Sequence, residues 1–359
     1  MTIEIVRQRL HNQFLSQTKL MAADQVVARL GAVQAQDYTG AKWALAQRTR
    51  GLTDADIDDA FNKGKILRTH ILRPTWHFVT PEDIRWMLAL SAPRVHVGNA
   101  FMYRQLEVGK AIIQKGYAVL EKALEGNQYL TRPELGSLFE KAGILAKGQR
   151  LAYLIMSAEL DGIVCSGPRR GKQFTYALLE ERAPKVRRLD LDEALAEFTQ
   201  RYFATRGPAT LHDFTWWSGL TMADAKKGLE LVKPRFETET IEGKTFWFEN
   251  VSSTKENSPT AHLLPNYDEY FIGFKDRSAI GEIVRQSRLD ENNPAFIAHI
   301  IIIDGQIVGG WKRTLRKDSV LIKFNPITKL TRAEKRAIIE AANLYGKFLG
   351  LTVELINLG

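Results

Sequence analysis

At 359 residues, 45% hydrophobic and 25% charged, the chain has the composition of a folded globular protein and exceeds one ordinary core, so two to four domains of about 60 to 120 residues are expected. Its 50 Lys+Arg against 41 Asp+Glu give a formal charge of +9, which favours a polyanionic partner such as nucleic acid, although a uniformly solvated basic surface gives the same total. A single cysteine, Cys165, excludes an internal disulfide or a cysteine-based zinc site and fits a reducing cytoplasm; no metal motif is present, no cofactor is expected, the first residues lack a signal peptide's apolar core, and no apolar run is long enough to span a bilayer.

Along the chain, Ile5, Leu10 and Phe14 mark a loose helical face, Val26, Val27, Leu30 and Val33 a second, and Ile57, Ala60 and Phe61 a third, with Asp54 expected to cap the last of these. Residues 65–70 and 75–79 are extended around Arg73-Pro74. Three short helices closed by a β-hairpin form the winged-helix pattern.

The order recurs from about residue 130. Thr131 and Glu134 form a capping box ahead of Leu135, Leu138 and Phe139, a helix spans Gly148 to Leu160, and residues 162–168 and 174–178 are strands around a basic tip. In that tip Arg169, Arg170 and Lys172 suit a DNA-contacting wing, and a solvated turn has the same composition. A third copy starts near Asp192: an amphipathic helix over 193–204, helix starts at Thr210 and Thr221, and a hairpin turning at Glu242-Gly243-Lys244. The copies agree in element order, not in residue identity.

Residues 252–260 are polar and read as a linker or exposed loop. Beyond them, residues 299–303, 307–311 and 319–324 are strands, with Asp304-Gly305 as a hairpin turn; a helix spans Thr331 to Leu349, and residues 351–355 return as an edge strand. The expected fold class is α+β: winged-helix modules over 1–125, 126–188 and 189–251, the first with connecting helices, then an α+β domain on an antiparallel sheet over 252–359.

After the second helix comes Gln34-Ala35-Gln36-Asp37-Tyr38. Residues two apart lie on nearly opposite sides of an α-helix, so the two amides converge only if the backbone leaves helical geometry near Ala35. Spacing alone reads as two polar residues at a solvated helix end. Asp37 is a general base or a helix-end carboxylate paired with Lys42 or Arg68. His70 and His77 touch phosphate or sugar, or pack beside Trp76. Arg68 and Arg73 suit phosphate contacts through the guanidinium fork. Most of the seven tryptophans are expected in cores or between domains. Residues 267–270 and 275–277 are charged without a histidine partner and read as a clamp holding the last domain on the others.

Gln34-Ala35-Gln36, the segment from Arg68 to His77 and Leu263-Leu264-Pro265-Asn266-Tyr267-Asp268-Glu269-Tyr270 together resemble the AlkZ-like family of DNA glycosylases over nearly the whole chain. The first resembles the family's catalytic Gln-Φ-Gln motif, with a small Φ residue, the second its first-module hairpin, the third the start of its C-terminal domain. The resemblance implies tandem winged helices forming a basic concave surface on double-stranded DNA, Gln34 and Gln36 as catalytic residues, and removal of bulky alkylated bases or unhooking of crosslinks. A base alkylated on a ring nitrogen is already cationic and leaves without a strong general acid, which suits two neutral amides that hold a water but cannot accept its proton. The chain is expected to be a soluble cytoplasmic monomer. The alternative is a non-catalytic winged-helix transcription regulator.

Overall fold

The computed structural model describes residues 4–16, 19–185, 187–249, 259–286 and 299–357. It is a mixed α+β molecule. The first unit holds α1 (Ile5–Asn12), α2 (Ala23–Leu30), β1 (Val33–Gln34), α3 (Tyr38–Gln47), α4 (Asp54–Asn62), β2 (Leu67–Ile71) and β3 (Thr75–Val79). Its sheet has the order β1-β3-β2. α4 is capped by Thr53, whose hydroxyl accepts from the Asp56 N–H at 3.2 Å while Asp56 accepts from the Thr53 N–H at 2.8 Å. This corrects the assignment of the cap to Asp54, since the hydroxyl one residue earlier already reaches the free N–H.

The helix α3 was not expected. Tyr38 and Gly40 through Ala46 are all buried, so the segment has no polar face and no amphipathic rhythm to read.

Two long helices, α5 (Ile84–Gln105) and α6 (Lys110–Leu124), lead to the second unit: β4 (Leu130–Thr131), α7 (Arg132–Lys141), α8 (Gly148–Leu160), β5 (Val164–Ser166), β6 (Thr175–Leu178) and α9 (Leu179–Arg182). The Thr131–Glu134 capping box is present. Helix α8 is buried continuously from Leu154 to Leu160 and packs on α5 and β2. That stretch supports the first unit. The third unit is α10 (Leu191–Arg206), α11 (Leu211–Ser218), α12 (Met222–Val232), β7 (Glu237–Ile241) and β8 (Lys244–Phe248), with Thr210 and Thr221 as caps.

The last part contains β9 (Ala261–Leu264), α13 (Glu269–Ile272), α14 (Glu282–Gln286), β10 (Ile300–Ile303), β11 (Gln306–Leu315), β12 (Ser319–Pro326), α15 (Arg332–Leu349) and β13 (Thr352–Ile356). The sheet order is β13-β12-β11-β10-β9. Asp304 (φ 49°) and Gly305 (φ 82°) both turn left-handed between β10 and β11, as a two-residue hairpin turn requires. β13 is an edge strand, but it runs parallel to β12, because α15 carries the chain back to the start of the sheet. The linker expected over 252–260 falls, up to residue 258, outside the described residues.

One core joins first unit and last sheet: Trp43 packs against Tyr345 (5.0 Å) and Phe348 (5.2 Å), and its indole N–H donates to the Leu263 carbonyl at 2.7 Å. A second core joins Leu67, Ile71 and α5 to α10–α12. No helix among the described residues is long and apolar enough to cross a membrane.

Candidate active site around Gln34 and Gln36

Gly31 (φ 80°) stops α2, and the chain leaves helical geometry well before Ala35. Gln34 pairs with His77 across β1 and β3, and the Ala35 N–H donates to the Trp76 carbonyl at 2.7 Å. The motif is therefore extended, which corrects its reading as a helix end. Val33 and Ala35 face the core at 1% and 0% exposure, so alternation turns Gln34 to the other face of the sheet. There Gln34, His77 and Thr69 occupy one row across the three strands.

Gln34 is buried and held at two points. Its backbone N–H donates to Glu269 Oε1 at 2.8 Å, and its side-chain oxygen accepts from Arg73 Nη2 at 3.2 Å. Gln36 is exposed, with its oxygen 3.4 Å from the Trp76 N–H. Both side-chain contacts are long, so each amide is steered yet exchangeable. Asp37 caps α3 through the Gly40 N–H (3.0 Å). It pairs with neither Lys42 nor Arg68: Lys42 lies between Asp54 and Asp58 at 2.8 and 2.9 Å.

Glu269 is fully buried and also accepts from Arg206 Nη2 (2.6 Å) and the Trp217 indole (2.8 Å). Its neighbour Asp268 receives both terminal nitrogens of Arg48 at 2.8 and 2.9 Å. Two consecutive carboxylates thus fasten the last domain to α3 and α10, the clamp expected of this segment. Arg48 and Arg206 were not singled out in the sequence, and Trp217 only as one of the tryptophans expected to pack in a core; each meets its partner over 52 residues or more of chain.

His77 is fully buried, its Nδ1–H donating to the Thr75 carbonyl at 3.0 Å. Burial, then the charge of Arg73, pushes its pKa down to about 3. It is a neutral ring behind Gln34, not a phosphate contact. His70 lies 2.5 Å from Glu159 and packs on Trp76 with ring centres 4.4 Å apart. Arg68 is only 8% exposed: its Nε donates to the Ala35 carbonyl (3.0 Å), and its guanidinium sits 4.2 Å from the Trp76 ring and 4.6 Å from the Phe174 ring. Burial lowers its pKa to about 10, still cationic at neutral pH. The expected phosphate contact is replaced by a staple across the motif, because the fork is buried against two aromatic rings.

Residues 27–348 match the family described as DNA glycosylase AlkZ-like. The chain belongs to that family. An interstrand DNA cross-link repair glycosylase of Streptomyces sahachiroi is 24% identical over 319 residues, 85% of either chain. The solved structure of the Streptomyces sahachiroi DNA glycosylase AlkZ shares the fold with a TM-score of 0.80, at 21% identity and 98% coverage of both chains. Membership of the AlkZ-like glycosylases makes this chain a hydrolase of N-glycosidic bonds in DNA and decides against the non-catalytic regulator.

The basic tip of this AlkZ-like chain is largely engaged. Arg169 donates its backbone N–H to Asn62 (2.8 Å), and its guanidinium lies 3.4 Å from Asp58 and over the rings of Tyr38 and Phe174. It docks the second unit on the first, which corrects its placement on DNA. Arg170 is exposed but bonds Glu134 (2.7 Å) and the Tyr129 carbonyl (2.6 Å), and Lys172 stands exposed. Cys165 is buried, its thiol pushed up to about 12 by burial, an inert core residue. A cavity of about 900 Å³ between α3 and α15, lined among others by Trp43, Phe348 and Lys347, includes neither glutamine.

Proposed function

We propose that this glycosylase acts as a cytoplasmic monomer on double-stranded DNA and releases bases made cationic by alkylation, bulky and crosslinked ones included, with Gln34 and Gln36 as its catalytic pair. The same reading divides the chain into three winged helices over 1–125, 126–188 and 189–251 and a last domain over 252–359. A purine alkylated at a ring nitrogen departs as a neutral molecule, so no protonation of the leaving group is needed. The barrier lies in the oxocarbenium-like sugar and the incoming water. Two carboxamide oxygens hold that water and turn negative dipole ends to the sugar, and neither takes up a proton near neutral pH.

One observation carries this reading: no carboxylate among the described residues bonds either glutamine side chain, while Asp37 and Glu269, which adjoin the motif, are committed elsewhere, Asp37 to Gly40 and Glu269 to Gln34 N–H, Arg206 and Trp217. Arg73, half-buried on the hairpin tip, lies where it can exchange Gln34 for a phosphate oxygen. Arg170 and Lys172 are the further phosphate contacts. The relative named for cross-link repair supports including crosslinked bases in the substrate class.

Duplex DNA carrying one N7-methylguanine is incubated with the wild type and with the Gln34→Ala/Gln36→Ala double variant, and abasic sites are counted alongside binding. Wild-type cleavage with a bound but inactive double variant is expected. Equal activity of the two proteins overturns the assignment.

A further inference from the structure

Of the seven tryptophans, all among the described residues, Trp43, Trp86, Trp217 and Trp311 are buried, Trp76 and Trp247 are half-buried, and Trp216 alone is exposed, at 43%. It lies on α11, whose core face is made by Asp213, Phe214, Trp217 and Ser218. Trp216 lies outside that set, and a partly exposed indole is the kind of side chain that binding surfaces use as an anchor.

Its position is fixed. Gly219, left-handed at φ 74°, ends α11 so close to the first-unit hairpin that a Cβ there would lie 2.9 Å from the Leu72 carbonyl. Arg94 holds the same turn through the Gly219 carbonyl at 2.7 Å. This sets the Trp216 ring 5.7 Å from the Arg73 guanidinium, which in turn bonds Gln34. Arg206 on Trp217 and Arg68 on Trp76 close to 4.0 and 4.2 Å. The Trp216 contact is loose by comparison, so the indole is placed beside the site but not sealed by the cation next to it.

We propose that Trp216 is the stacking platform of the active site: its indole face receives the cationic alkylated base while Gln34 and Gln36 address the sugar. The inference rests on the assignment of the glutamine pair above. An indole is the aromatic side chain that best attracts a cation over its face, and an open face tolerates a bulky substituent that a closed base pocket would reject. When Arg73 moves to phosphate, its positive charge leaves the ring as the base arrives.

The test compares the wild type, Trp216→Ala, Trp216→Phe and the double glutamine variant on two duplexes, one with N7-methylguanine and one undamaged, reading single-turnover base release, duplex affinity and tryptophan emission. Stacking loss of the usual size predicts that Trp216→Ala loses roughly ten- to a hundredfold in affinity for the damaged duplex or in its release rate, with thermal unfolding and undamaged-duplex affinity within twofold of wild type. Trp216→Phe restores part of the loss, and lesion-dependent quenching of emission disappears in it. Wild-type behaviour of Trp216→Ala on the damaged duplex, with the double glutamine variant inactive, overturns the platform and leaves the glutamine pair standing. An equal loss on both duplexes also overturns it, since the ring then contacts DNA without reading the base. Full activity of the double glutamine variant removes the assignment on which both rest.

Discussion

Glu269 accepts the backbone N–H of Gln34 at 2.8 Å from 235 residues away in the chain. The strand that carries Gln34 is thereby positioned by the last part of the chain, and the same carboxylate is held by Arg206 and Trp217 of the third unit. Removing one partner of such a fully buried pair leaves an uncompensated charge. Glu269→Gln is expected to lower stability by about 3 to 5 kcal/mol in chemical denaturation, and to slow base release in the folded fraction while duplex affinity holds. Unchanged stability would show that the cluster is not a clamp.

Arg68 and Arg73 sit on one hairpin and should behave differently. Arg73→Ala is expected to weaken binding to damaged and undamaged duplex alike and to reduce the salt dependence of log affinity by about 0.9, one phosphate contact. Arg68→Met should leave that slope unchanged and lower the thermal midpoint, because its cation is enclosed by Trp76 and Phe174. Fluorescence anisotropy titrations at several salt concentrations measure the slopes.

Much of the scaffold was readable because its signals are local. The Thr131–Glu134 box and the Thr210 and Thr221 caps announce helices within four residues, and Asp304-Gly305 announces its hairpin. α3 hid because burial on all sides erases periodicity. Arg68 and Arg169 looked like DNA contacts because sequence gives charge without burial. The partners that bury them, Phe174 for Arg68 and Asp58 and Tyr38 for Arg169, lie far away in the chain. The glutamine pair was a candidate only through resemblance, since spacing on an assumed helix sets the amides apart, whereas alternation along an extended strand does not.

His77 sets an acid limit on stability. Its pKa in the folded chain, about 3, lies below the ordinary histidine value near 6.5. Between those values the unfolded chain binds a proton that the folded one refuses, so stability is full above about pH 6.5 and is lost as pH falls. One such group costs about 2 kcal/mol between pH 7 and pH 5. His77→Asn should flatten the decline of the unfolding free energy over that interval by about this amount, and an unchanged decline would exclude His77 as a source of it.

Asp37 is engaged by Gly40 as a helix cap, so its two possible roles separate by substitution. Asp37→Asn keeps a capping acceptor and is expected to retain base release within about twofold. Asp37→Ala should cost about 1 kcal/mol of stability. A loss of a hundredfold or more in the folded asparagine variant would instead make Asp37 the base that activates water.

The central claim is that a pair of neutral amides cleaves only a glycosidic bond whose base is already cationic. Its most direct test is the single-turnover rate of base release by the wild type from matched duplexes carrying either N7-methylguanine or the uncharged base hypoxanthine. Release of N7-methylguanine with no detectable release of hypoxanthine is predicted, and comparable rates on the two duplexes would contradict it.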